Sequence, residues 1–120
     1  VTEREEGVYS VAYSKSDNNQ FATGGGQGMI AIWDREKGQV TGRLRGHQGN
    51  IRSLAYSHDG HRLASGGTDG VINLWDLETF RKITSLKGHR NTVYSLAFSH
   101  DGTLLVSGSF DRRVNVWTLK

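Results

Sequence analysis

Four groups of residues in this chain have the types and spacing to do chemistry. His58, Asp59 and His61 put two imidazoles and a carboxylate into one short segment, a donor set suited to a divalent metal, and His100-Asp101 repeats part of it. Gly24-Gly25-Gly26-Gln27-Gly28 is glycine-rich enough to suggest a phosphate cradle. Trp33, Trp75 and Trp117 are of the type that stacks on nucleic-acid bases. His, Ser and Asp, the members of a hydrolase triad, are all present as well.

The elements that must position these residues come from a repeat. The tryptophans are separated by 75−33 = 42 and 117−75 = 42 residues, and His47 and His89 also differ by 89−47 = 42, so one unit recurs. On that period Ile51 to Ser57 aligns with Val93 to Ser99, and Val8 to Ser14 matches both, with one extra residue in the turn that follows the first copy.

Within a unit the side chains alternate with a period of two. Ile51, Ser53 and Ala55 point one way and Arg52, Leu54 and Tyr56 the other. Further strands are predicted over Arg62–Gly66, Val71–Trp75 and Arg81–Leu86. Turn signals separate them: Ser-His-Asp-Gly around Asp59-Gly60 and Asp101-Gly102, then Asp69-Gly70, then Asp76 to Thr79. Sixteen glycines and the absence of a lasting 3.6-residue apolar stripe argue against helices. Each unit therefore reads as one four-stranded antiparallel sheet in an all-β chain.

This framework weakens three of the four chemistries. The His58 and His100 segments are turns in which the Asp serves the turn itself, so no metal is expected. The glycine run lacks a following Gly-Lys-Ser/Thr and falls between second and third strands, where it eases a tight turn. Strand alternation sends the three indoles inward, with Tyr13, Tyr56 and Phe98 as packing between sheets.

The Gly46-His47 and Gly88-His89 pairs, with Trp33-Asp34 and Trp75-Asp76 at this spacing, resemble the WD40 repeat family. The resemblance covers essentially the whole chain and implies β-propeller blades at approximately 1–44, 45–86 and 87–120, the last lacking its outer strand. It also implies a hydrogen-bonded tetrad in each well-formed blade: His47, Ser65, Asp69 and Trp75, then His89, Ser107, Asp111 and Trp117. An Asp can fix the His tautomer, the His can contact the Ser hydroxyl, and the Ser can accept from the indole N–H. A Ser inside a strand, shared with Trp and without oxyanion donors, is structural rather than catalytic, so no enzyme is expected.

Blade one departs from the pattern. Arg4-Glu5 stands where Gly-His is expected and Gln27 replaces the tetrad Asp, leaving Thr23 and Trp33, which predicts the least rigid blade. In blade three Thr118 replaces the Asp after Trp117.

A propeller ring takes about four to eight blades, so three must be completed by further blades of a longer chain or by copies of the same chain. Val1-Thr2-Glu3-Arg4 resembles Val40 to Arg43 and could supply an outer strand to another copy. The family's upper face implies partner-contact positions at Tyr9, Arg52 and Tyr94, at Gly7, Asn50 and Thr92, and at Gly26, Thr68 and Phe110. Tyr, Arg and Phe suit binding hot spots.

Three functions are consistent with these residues: a platform for a protein or peptide partner, a self-assembling structural module, and nucleic-acid or chromatin association through Arg43, Arg45, Lys87 and Arg90. Fifteen Lys plus Arg against twelve Asp plus Glu give a formal charge of +3 without a clustered stripe, which ranks nucleic acid last. The absence of cysteine excludes disulfides and thiolate metal sites, and no cofactor is expected. The chain begins at Val1, has no signal peptide, no apolar run of roughly 18 residues and no Asn-x-Ser/Thr sequon, so it reads as an excised or processed intracellular piece with no membrane role.

Overall fold

Residues 7–119 are described in the computed structural model of the chain. They form eleven strands, and β-branched and aromatic residues with tight polar turns account for that all-β outcome. The first sheet holds β1 (Val8–Tyr13), β2 (Gln20–Gly25), β3 (Met29–Asp34) and β4 (Gln39–Arg45) in that order. The second repeats it with β5 (Ile51–Tyr56), β6 (Arg62–Gly67), β7 (Val71–Asp76) and β8 (Arg81–Lys87). The third comprises β9 (Val93–Phe98), β10 (Leu104–Ser109) and β11 (Val114–Thr118), with β11 at its outer edge.

Every neighbouring pair is antiparallel and joined by a short turn. These are the blades of a propeller, stacked but not closed among the described residues. One helical feature departs from the all-strand expectation, a single 3-10 turn at Gly26–Gly28. It arises where Gln27 replaces the turn Asp and adopts φ 61. The segment 1–4, expected as a strand for another copy, lies outside the described residues.

Burial of apolar surface holds the blades together, at roughly 25 cal/mol per Å². Between blades one and two, Ala22, Ile30, Ile32 and Leu44 meet Ile51, Tyr56, Leu63 and Trp75. Between blades two and three, Ala64, Ile72 and Leu74 meet Val93 and Leu105, with Phe98 and Trp117 packed alongside. Each blade thus has two unlike faces, one carrying the indole and one receiving it.

The two end faces have no blade against them among the described residues. Val106 and Val116, the counterparts of buried Ala64 and Leu74, are exposed on blade three. Tyr13, expected between blades, is 49% exposed on blade one because the face it shares is that open one. It leans on Phe21, which stacks in turn on Trp33 at 5.8 Å with an interplanar angle of 2°.

Candidate interaction surface

In blade two the fold brings His47, Ser65, Asp69 and Trp75 into one chain of hydrogen bonds. His47 Nδ1 lies 3.1 Å from Asp69 Oδ2, and its Nε2 lies 2.7 Å from Ser65 Oγ. Trp75 Nε1 donates to the same Oγ at 2.8 Å. With Nδ1–H directed at the carboxylate, Nε2 accepts from the Ser hydroxyl, and every polar atom of the four finds a partner. Blade three repeats this with His89 to Asp111 at 2.9 Å, His89 to Ser107 at 2.7 Å, and Trp117 Nε1 donating to Ser107 at 2.9 Å. In blade one the remnant is Trp33 Nε1 donating to Thr23 Oγ1 at 2.9 Å.

The Gly-His pair has a steric basis beside this polar one. A side chain on Gly46 would place its first carbon 3.0 Å from the Trp75 ring, and Gly88 stands at the same distance from Trp117. The glycine lets the His loop lie flat on the indole.

Both tetrad carboxylates are also fastened to backbone. Asp69 accepts from the N–H groups of Gln48 and Val71, and Asp111 from those of Arg90 and Arg113. Burial pushes both carboxyls up, but these N–H donors and the adjacent imidazoles outweigh it and hold them below the usual range, Asp111 at about 2. In blades two and three the tetrad ties the loop before the first strand to the turn between the second and third, which stiffens that part of the rim. Ser65 is fully buried and Ser107 nearly so, each committed to an indole and an imidazole, so neither hydroxyl is open to a substrate.

On that rim the three strand-one candidates share one geometric cause. Val8 pairs with Gly25 and Ser10 with Gly24, so Tyr9 is the extra residue of a β-bulge. Arg52 is the extra residue between the Ile51–Gly67 and Ser53–Gly66 pairs, and Tyr94 that between Val93–Ser109 and Ser95–Gly108. A bulge leaves its extra residue out of the ladder and re-aims the side chain. All three are exposed.

Arg52 meets Tyr9, and Tyr94 meets Phe110. The Arg52 guanidinium carbon sits 5.0 Å from the Tyr9 ring centroid, and the Tyr94 and Phe110 rings lie 4.8 Å apart at 31°. These are two separate small clusters on the same rim.

The other candidates are placed differently. Asn50 and Thr68 bind each other: Asn50 N–H donates to Thr68 Oγ1 at 3.0 Å, and Thr68 N–H donates to the Asn50 carbonyl at 2.9 Å. Thr68 remains exposed and Asn50 is half-buried. Thr92, also expected as a contact residue, lies buried with only 9% of its surface exposed. Its carbonyl accepts from Phe110 N–H at 3.1 Å, the bond that Asn50 makes with Thr68 in blade two. Gly7 and Gly26 join blade one's rim through a Gly26 N–H to Gly7 carbonyl bond of 3.1 Å.

The turns at the opposite end use their Asp residues as the sequence suggests. Asp59 accepts from Ser57 Oγ and from His61 N–H, and Asp101 from Ser99 Oγ and Thr103 N–H. His58 instead faces His100 of the next blade, with ring centroids 4.4 Å apart. No cluster of three or more metal-ligating residues forms among the described residues. Two features escaped sequence reasoning: Arg112 has φ 72 at the position where blade two has Gly70 at φ 76, and Phe80 has φ 57 where blade one has Gly38 at φ 64. Subtracting the period, 112−42 = 70, would have exposed the anomaly.

The repeated blades and their polar tetrads define a propeller of the WD type. The family model described as "WD domain, G-beta repeat" matches residues 2–34, 38–76 and 80–118, and the chain belongs to this family. The second and third matched units each take the outer strand of the preceding sheet with three strands of the next, so the repeat interlocks blades. An uncharacterized WD repeat-containing protein of Schizosaccharomyces pombe is 34% identical over 58 residues, 48% of this chain and 14% of that protein. The solved structure of U3-55K superposes with a TM-score of 0.90 at 26% identity, covering 98% of this chain and 37% of the other. The chain thus spans well under half the length of these two proteins.

Proposed function

We propose that the chain is a non-catalytic scaffold that binds a protein or peptide partner on the rim formed by Tyr9, Arg52, Tyr94 and Phe110. The observation that carries this reading is the bulge repeated at the same place in all three blades. It lifts large, partly polar side chains onto a rim stiffened by the tetrads, and such residues bind with little loss of conformational freedom. The membership in a family of propellers that generally serve as interaction scaffolds supports it.

The test is selection of peptides from a displayed library on the protein, followed by the same peptides on Tyr94→Ala and Phe110→Ala. Binders should be lost with the rings while the melting temperature stays unchanged. A library that yields no binder, or binders indifferent to both substitutions, would refute the reading.

A second reading is favoured by the unlike end faces. Blade one's open face carries Val11 and Tyr13, counterparts of the indole-side residues Leu54 and Tyr56, while blade three's carries Val106 and Val116 of the receiving kind. Copies of the chain can therefore stack head to tail as its own blades do, with ring closure as the structural function.

A further inference from the structure

We infer that this rim recognises an acidic peptide segment bearing a hydrophobic side chain, an inference that rests on the scaffold reading above. Arg45, Arg52, Lys87, Arg90, Arg112 and Arg113 all lie at or beside the loops of the tetrad end and are all exposed. None of the six has a carboxylate partner among the described residues.

The acids are distributed in the opposite sense. Asp69 and Asp111 are the described carboxylates at this end, and both are occupied by an imidazole and two backbone N–H groups. Every other described Asp and Glu lies in the far turns, within residues 14–19, 34–38, 57–61, 76–80 and 99–103. Among the described residues the tetrad end is therefore almost purely cationic, beneath a modest net charge of +3 for the whole sequence.

Arg112 adds an independent observation. A side chain at φ 72 is strained, and the repeat fills the corresponding site in blade two with glycine. Arginine there adds an exposed cation to the rim that glycine in blade two does not supply.

Beside the cations, Tyr94 and Phe110 form an apolar ledge, with Phe110 64% exposed. The rings lie against each other, and Arg52 covers the Tyr9 face on which a base would stack. That arrangement favours a side chain resting on the ledge, with carboxylates on the guanidinium groups, over a stacked single strand of nucleic acid.

The test is fluorescence anisotropy with a labelled peptide alternating Glu and Leu, its Lys-for-Glu counterpart, and labelled oligothymidylate. The acidic peptide should bind most tightly, with affinity falling as salt rises. Arg52→Ala and Arg112→Gly should each weaken it about fivefold, with the Arg112→Gly melting temperature unchanged or higher. Equal or tighter binding of the Lys peptide or the oligonucleotide, or no loss in either variant, overturns the inference. If library-selected binders are neutral or basic yet still depend on Tyr94, the scaffold reading stands and this inference falls alone.

Discussion

Arg52 lies over the ring of Tyr9, 5.0 Å from its centroid, so residues on the inner strands of two adjacent blades share one cation–π contact. At an exposed site such a contact contributes about 0.5–1 kcal/mol. Arg52→Ala should lower unfolding free energy by no more than that, while weakening partner binding. Urea titration checks the first effect, and a loss above about 2 kcal/mol would assign Arg52 to structure instead.

The tetrads make a graded prediction. Ser65→Ala removes the acceptor of Trp75 and the partner of His47 together, leaving two buried groups unpaired, at a cost of about 2–4 kcal/mol. Thr23→Val in blade one deletes only the bond to Trp33 and should cost about 1 kcal/mol. Equal losses in the two variants would show that the His and Asp add nothing to the Ser–Trp bond.

Acid should destabilise the fold through its Asp residues. Asp111 is held at about 2 in the folded protein against an ordinary 3.8, and Asp59, Asp69 and Asp101 move in the same direction. A carboxyl lowered on folding contributes fully above its unfolded value, and that contribution drains away as pH falls from about 4 toward 2. Asp111→Asn should lower stability at neutral pH and flatten the decline in that acid window. Urea midpoints measured across the window decide it, and an unchanged slope would contradict the assignment.

The open face of blade three predicts concentration-dependent association. Val116 is 62% exposed at the place where blade two buries Leu74. Val116→Lys should leave the fold intact and shift light-scattering mass toward the single chain. A wild-type chain that is monomeric at all concentrations would remove the head-to-tail reading.

The architecture is legible in the sequence because the tryptophan period and alternating strands encode it directly. Strand ends differ by a residue, as at Gly67, Asp76 and Lys87, because pairing extends to the turn itself. The rim was less legible. Thr92 falls at a family contact position but is buried, while Asn50, its counterpart with the same backbone bond, is half-buried. Segregation of charge was only half legible: residues 79–100 carry four cations and no acid, but top and bottom turns alternate along the chain, so which end each charge occupies shows only in three dimensions. Arg112 was hidden for another reason, since a positive φ shows only in three dimensions or against its glycine counterpart.

The bulges carry one more consequence. Because Tyr9, Arg52 and Tyr94 stand outside the strand ladder, exchanging them leaves the register and the apolar contacts between blades in place and alters only the Arg52–Tyr9 and Tyr94–Phe110 contacts of the rim. On the proposed scaffold reading, specificity and foldability are thereby written at separate addresses, and redrafting three side chains would change the partner while the frame stays as it was.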